Sequence, residues 1–348
     1  TSLLRAISGL WATQTGEIET PSTGELLFIP QKPYMTLGSL REQLCYPLDK
    51  NRFSDDHLKA VLEEVQLPQI ITRYPDLNIK QDWQRLLSLG EQQRLAFARL
   101  LLNSPKFVVL DDFLDKEIAD QLFSSFPALD SLKVKRKSLN ENKVEDYHFE
   151  RWDPVFSEVR DLIQSNDFLN WMSELTGISG LVTPDNSLGS GIHQGGHGSF
   201  VDIHIDVNFD PKSEMWRRIN LLIYLNKNWK KDYGGNLELW SPDMRECNHS
   251  IAPLFNRAVI FLTDENSPHG YKAINIPEGE SRKSFYAYYY TEIDENFKYS
   301  DSKFVSRPDD KFLKRVATKL KESIKIETKR LLKKMGLKSL DFQDKNKK

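Results

Sequence analysis

The triplet His204-Ile205-Asp206, followed downstream by Ser267-Pro268-His269 and by Arg282-Lys283-Ser284, decides the reading of the larger part of this chain. Side chains alternate faces along a strand, so residues i and i+2 share one face. His204 and Asp206 therefore present an imidazole and a carboxylate side by side, while Ile205 turns the other way into packing. His269 supplies a second imidazole, and the three make a two-histidine, one-carboxylate face. Arg282 lies 13 residues after His269, at the start of an aromatic-rich strand, and Ser284 shares its face two residues on.

Around this stretch, short segments of strand character recur between Gly, Pro and Asp turns: Ser199–Asn208, Arg218–Leu225, Asn236–Trp240, Arg257–Leu262 and Lys283–Thr291. Such spacing predicts an all-β sandwich or barrel. Ahead of them, Leu114–Phe123 and Trp152–Leu175 carry helical apolar spacing, the second with Asp153-Pro154 as a start and Thr176-Gly177 as a stop. Between those two helices, Ser131–Asn142 is polar and lysine-rich and reads as a mobile loop. The glycine-rich run Gly189–Gly198 holds His193 and His197, which read as incidental loop residues, and His249 has no supporting context. From Phe312 onward, Leu313, Val316, Leu320 and Ile324 fall on one stripe of an amphipathic helix.

The first 110 residues have a different character. Ser2–Ile7 reads as the start of a helix and Leu26–Ile29 as a short strand ending at Pro30. Leu40–Leu44, Asp55–Val65 and Glu91–Leu102 have helical apolar spacing. Lys106–Leu110 is an apolar run of the kind buried on both faces of a parallel sheet. With 348 residues the chain has length for two domains. The expected division is 1–110, 111–299 and a basic tail over 300–348.

A hydrophobic content of 39% and a charged content of 28% are those of a soluble globular protein and exclude a disordered or membrane-embedded class. No run approaches the roughly 18 to 20 apolar residues that a membrane span needs. The absence of a basic-then-apolar leader predicts a cytoplasmic setting. Cys45 and Cys247 lie far apart and predict no disulfide framework. The net charge of −2 hides an asymmetry, because residues 309–348 hold 14 Lys and Arg against 6 Asp and Glu. That tail reads as a solvated helix face rather than a nucleic-acid or anionic-lipid surface. The chain opens at Thr1 and not Met, which reads as a fragment, a processed chain or an incomplete gene model.

The face of His204, Asp206 and His269 leaves the other octahedral positions of Fe(II) open for a bidentate 2-oxo acid and for O2. Zinc, with its four-coordinate preference, suits it less. A guanidinium at Arg282 can clamp the far carboxylate of 2-oxoglutarate through two parallel bonds, with the Tyr224 hydroxyl and Ser284 as further contacts.

Residues 111 to about 292 resemble the prolyl 4-hydroxylase-like branch of the 2-oxoglutarate/Fe(II) oxygenases. The strings that carry this resemblance are Val109-Leu110-Asp111-Asp112-Phe113-Leu114, His204-Ile205-Asp206, and Arg218-Ile219-Asn220-Leu221-Leu222-Ile223-Tyr224-Leu225-Asn226. Trp229 with Gly234-Gly235-Asn236-Leu237-Glu238-Leu239-Trp240, Asn256-Arg257, His269-Gly270, and Arg282 with Ser284 add to them. The resemblance implies a double-stranded β-helix (jelly roll) with flanking helices. It implies iron on His204, Asp206 and His269, and 2-oxoglutarate on Arg282 and Tyr224. The implied reaction hydroxylates a C–H bond of a protein residue or small metabolite and releases succinate and CO2, with ascorbate as a candidate reductant.

The first part resembles a different family. Leu87-Ser88-Leu89-Gly90-Glu91-Gln92-Gln93-Arg94 is similar to the signature of ABC ATPases, and Phe107-Val108-Val109-Leu110-Asp111 to their Walker B strand. Gln31 matches the Q-loop position, and the wording from Pro33-Tyr34 to Tyr46-Pro47 is similar to peroxisomal acyl-CoA transporters and their bacterial relatives. The resemblance implies an incomplete α/β ATP-binding fragment, with Gln31, Ser88, Gly90 and Asp111 as vestigial nucleotide-binding positions. No P-loop glycines and lysine precede Thr1, and Asp112 replaces the catalytic glutamate. ATP and Mg2+ are therefore not expected to bind productively, and no ATPase activity is expected.

Phe107–Leu114 can be read as the end of one unit or the start of the other, which predicts a junction between two pieces of separate origin. The whole is expected to be α+β. Its expected partners are 2-oxoglutarate, O2 and a protein or small-molecule substrate, with no nucleic acid and no membrane span. The alternative reading is an ATP-binding subunit of an ABC transporter carrying an appended oxygenase domain.

Overall fold

The computed structural model describes residues 26–29, 33–103, 107–184 and 189–334. The helix expected at Ser2–Ile7, and Gln31, lie outside them. The chain divides into two compact units, Thr1–Asp111 with Asn170–Ser179, and Asp112–Leu169 with Gly180–Lys348.

In the first unit β1 (Leu26–Ile29) pairs in parallel with β4 (Phe107–Leu110), and the short β2 (Gly38–Ser39) pairs antiparallel with β3 (Lys80–Gln81). β4 is buried along its whole length, as a strand covered on both faces must be. Helices Leu40–Cys45, Asp55–Glu64 and Leu89–Asn103 form where the apolar spacing places them. Ser39 and Glu42 form a reciprocal capping box that starts the first of these. Leu40, Leu44, Leu58, Leu62, Trp83 and Leu95 pack into one core.

The second unit carries β5 (Val134–Lys137), β6 (Glu141–Asp146), β7 (Ser190–Gly195), β8 (Phe200–Ile205), β9 (Phe209–Asp210) and β10 (Met215–Tyr224). It continues with β11 (Leu237–Trp240), β12 (Cys247–Ile251), β13 (Arg257–Leu262), β14 (His269–Tyr271), β15 (Arg282–Thr291) and β16 (Lys303–Phe304). One group runs β13-β10-β15-β7 and a second runs β8-β14-β11-β12, with every pairing antiparallel. β6 pairs with both β7 and β8 and joins the two groups. Successive strands thus pass between the two sheets in double Greek-key order, which is the jelly roll, or double-stranded β-helix.

Three expectations change here. Ser131–Asn142, expected as a mobile loop, contributes the β5–β6 hairpin. Its polar groups have partners, which is why it can order: Arg136 bonds Glu145 at 2.7 Å, and the fully buried Asn140 donates to Asp202 and Thr318. The helix expected over Trp152–Leu175 breaks into Pro154–Ile163 and Asn166–Thr176. Asp153 caps the first through Val155, and Ser165 starts the second by accepting from the Phe168 amide at 3.3 Å. The glycine-rich run Gly189–Gly198 contains β7, where Gly191 and Gly195 leave room for Tyr286 and Ser199. Cys45 and Cys247 are free thiols. Among the described residues no helix is long and apolar enough to cross a membrane.

The terminal helix Phe312–Lys334 is fastened by a buried charge network. Asp202 of β8 accepts from Lys314 at 2.7 Å and from Arg307 at 3.3 Å, and Arg307 also donates to Glu238 of β11 at 2.7 Å. Arg307 and Asp202 are 3% and 2% exposed, so water cannot replace a lost partner. Arg307→Met is expected to lower the urea unfolding free energy of the second unit by about 3 kcal/mol. A loss of less than about 1 kcal/mol would mean that the network is screened like a surface pair.

Candidate metal centre

β8 and β14 bring the predicted ligands together. His204 and His269 are directly opposed across the antiparallel ladder, with ring centroids 4.3 Å apart. β8 ends at Ile205, so Asp206 follows the strand rather than lying within it, yet its carboxylate still reaches both rings. Asp206 Oδ1 lies 3.4 Å from His204 Nε2, and Oδ2 lies 3.8 Å from His269 Nε2. One donor atom from each of the three residues falls within 4.8 Å of the others. A six-coordinate ion with bonds of about 2.1 Å sets neighbouring donors roughly 3 Å apart, so a small contraction suffices.

The hydrogen-bond pattern suits a cation. His204 Nδ1 lies 3.1 Å from the Asp202 carbonyl and His269 Nδ1 lies 3.0 Å from the Ser267 carbonyl. A carbonyl only accepts, so each Nδ1 carries the proton and each Nε2 turns a lone pair toward Asp206. Asn220 Nδ2 donates to Asp206 Oδ2 at 3.3 Å. Burial by itself would raise the Asp206 carboxyl; its neighbours His204, His269 and Arg217 outweigh it and hold it far below the usual carboxylate range. Burial, aided by His204, lowers His269 to about 4 against the opposing pull of Asp206. Both groups are thus in the deprotonated form that a metal requires. The donor set fits Fe(II) with open positions.

Arg282, Tyr224 and Ser284 lie together further into the barrel. Ser284 is opposite Tyr224 on one side and His193 on the other, and Arg282 is opposite Gly195. The buried Arg282 donates from Nε to the Gly235 carbonyl at 2.9 Å, and its guanidinium sits 4.1 Å from the Tyr271 ring centroid and 4.9 Å from that of Tyr224. Gly235 has φ +69°, and a Cβ there would come within 2.4 Å of Ile274 Cγ2. Only glycine permits that approach. The Tyr224 hydroxyl is buried without a hydrogen-bond partner. Burial raises its pKa, and the Arg282 charge opposes the rise. A fixed cation beside an orphaned hydroxyl is a fitting receptor for a carboxylate.

Several residues near the face were not singled out by the sequence pattern. Asn220 supports Asp206. Arg217 stacks 3.9 Å from the Tyr288 ring centroid and donates to the Tyr290 hydroxyl at 3.2 Å. His193 is not a loop residue: it lies on β7, stacked on Tyr286 at 4.1 Å, with Glu145 at 3.4 Å and Lys143 at 3.3 Å. Burial, then the Lys143 charge, lowers it to about 4. The tyrosine alternation at 286, 288 and 290 is the one sequence signal that marks this inner face. His197 is held at the Ile276 carbonyl.

In the first unit, Ser88 and Gly90 come together at the start of helix Leu89–Asn103. The Ser88 hydroxyl accepts from the Glu91 amide at 3.3 Å, and the Glu91 carboxylate accepts from the Ser88 amide at 2.9 Å. Asp111 follows β4 directly.

The contact between β14 and β8 leaves no room at Gly270, where a Cβ would lie 2.7 Å from the carbonyl oxygens of both Val201 and Asp202. Gly270→Ala is expected to push the two strands apart and weaken Fe(II) or Co(II) binding at least about tenfold while all three ligands remain. Unchanged affinity in anaerobic titration would show that the strand spacing does not control the face.

Residues 190–290 match the family model of the 2OG-Fe(II) oxygenase superfamily, and residues 1–114 match that of the ABC transporter family. An uncharacterized ABC transporter ATP-binding protein of Synechocystis is 50% identical over 111 residues, covering 32% of this chain and 17% of that protein. ATP-binding cassette sub-family D member 3 of Homo sapiens is 44% identical over 116 residues, covering 32% and 18%. The chain thus spans less than one fifth of the length of these two relatives. A Pseudomonas putida prolyl-4-hydroxylase structure aligns at 18% identity and TM-score 0.37, covering 54% of this chain and 93% of that one. A Trichoplax adhaerens prolyl hydroxylase, solved with a hypoxia inducible factor peptide fragment, aligns at 17% and 0.40, covering 69% and 94%. The chain carries a domain of the 2OG-Fe(II) oxygenase superfamily at residues 190–290, preceded at residues 1–114 by a segment of the ABC transporter family.

Proposed function

We propose that residues 111–299 act as an Fe(II)- and 2-oxoglutarate-dependent dioxygenase that hydroxylates a C–H bond of a protein residue, of prolyl type, or of a small metabolite. The convergence of two Nε2 lone pairs and one carboxylate, with both Nδ1 atoms tied to carbonyls, carries this reading. His204, Asp206 and His269 would hold the iron, and Arg282, Tyr224 and Ser284 would hold 2-oxoglutarate. The prolyl type rests on the motif resemblance.

Fe(II) bound with 2-oxoglutarate supplies O2 activation, one oxygen atom entering the substrate and the other the succinate formed with CO2. The chain's own residues do the rest. Asn220 steadies Asp206, and the carbonyls of Asp202 and Ser267 set the ring orientations. Arg282, already anchored on Gly235, offers its guanidinium to a carboxylate while Tyr224 adds a hydroxyl. Tyr271 and Tyr224 cover the guanidinium and exclude water from it. Ascorbate would serve as a reductant that keeps the iron ferrous. The limits 1–110, 111–299 and 300–348 are the corresponding proposal for the domains.

For the first segment we expect no ATP hydrolysis, because Asp112 stands where the family resemblance places the catalytic glutamate.

Succinate formation is expected to require Fe(II) and 2-oxoglutarate and to vanish in His204→Ala. Arg282→Ala is expected to raise the KM for 2-oxoglutarate about 100-fold, the loss of a charge-assisted bidentate contact. Folded protein that shows no visible charge-transfer band on anaerobic addition of Fe(II) and 2-oxoglutarate would overturn the reading. MgATP hydrolysis without succinate formation would favour the transporter-subunit reading instead.

A further inference from the structure

The helix Phe312–Lys334 is mounted on the second unit by its polar side. Among its residues of described burial, Thr318 and Glu322 are buried. Lys314 reaches Asp202, Thr318 and Lys321 meet Asn140 at 2.9 and 3.1 Å, and Lys325 reaches the Ser302 carbonyl. The apolar stripe therefore faces away from the domain. Phe312 is 74% exposed, Leu313 80%, Val316 48%, Leu320 60% and Ile324 57%. At 3.6 residues per turn these five side chains span roughly 120° of the circumference, and Glu327 interrupts the arc beyond Ile324. An amphipathic helix in a globular domain normally turns such a stripe inward, and a contiguous exposed apolar patch marks an interaction surface.

We propose that this face docks on the surface of an anionic phospholipid bilayer. The charge on the helix selects that occupant. Phe312–Lys334 contains nine Lys and Arg against two Glu. Arg315 and Lys319, both exposed, flank the stripe on one side. Seated on a bilayer, the apolar arc enters the headgroup boundary, and the flanking basic heads reach phosphates while their stems lie along apolar surface. The polar side stays on the protein, where its hydrogen bonds are already made. A second copy of the same helix is disfavoured, because pairing would set two strongly cationic helices side by side. A polyanion such as a nucleic acid would satisfy the lysines but leave the apolar arc in water.

Co-sedimentation of the full chain with phosphatidylcholine vesicles, with and without phosphatidylglycerol, tests this. Binding is expected only to the anionic vesicles and is expected to fall steeply with added salt. Leu320→Asp with Ile324→Asp removes the apolar insertion, and Arg315→Glu with Lys319→Glu removes the charge. Each pair is expected to weaken binding at least about tenfold. These positions are exposed, so an unchanged circular-dichroism melt verifies that the variants remain folded. No vesicle binding, or equal binding to neutral and anionic vesicles, overturns the proposal. It also fails if the wild type elutes as a dimer that Leu320→Asp converts to a monomer while vesicles go unbound. Duplex DNA binding that survives Leu320→Asp, without vesicle binding, overturns it in favour of a nucleic acid.

Discussion

The antiparallel contact between β8 and β14 is the constraint on which the site depends. β14 is only three residues long, yet its register sets His269 against His204, and the Asp206 carboxylate, just past the end of β8, reaches both rings. Gly270 makes the approach possible, since any Cβ there meets the carbonyl oxygens of the facing strand. The same carbonyl of Asp202 that crowds Gly270 also accepts from His204 Nδ1. Strand spacing, tautomer and ligand direction are thereby coupled through a few backbone atoms.

Buried charge supports that contact from outside the barrel. Arg307 bridges Asp202 on β8 and Glu238 on β11, the strand that pairs with β14. β8 and β11, the strands on either side of β14, are therefore tied by one guanidinium as well as through the ladder of β14 between them. Such groups are costly to bury, and geometry tight enough to offset that cost is also geometry that resists drift. On the inner side, Arg136, Glu145 and Lys143 form a comparable cluster with His193, and β6 carries two of its members while joining the sheets. The first unit has its own apolar core and its own helix caps.

Much of the site was legible in the residue order because it follows from local periodicity. An alternation of two points to His204 and Asp206 as a pair, and the two do meet although Asp206 lies just past the end of β8; the aromatic strand from Arg282 is readable in the same way. The helix starts at Ser39, Ser54 and Asp153 have caps with a local cause. Polar segments were harder. Ser131–Asn142 resembles a loop because its charges look unpaired in one dimension; its partners Glu145, Asp202 and Thr318 come from elsewhere in the chain. His193 looked incidental among glycines until β15 placed Tyr286 on its ring.

The sequence by itself determined the closeness of His204 and Asp206, the two-faced character of the strands and the existence of an amphipathic helix at the end, because each depends on neighbours within a few positions. Only the tertiary structure decided that His269 faces His204, that Asn220 holds Asp206, and that Arg282 lies against Tyr224 and Tyr271. It alone decided, too, that the last helix turns its polar side inward. Those outcomes depend on pairing register and on where buried charges find partners. Both are long-range choices that hydrophobic periodicity leaves open.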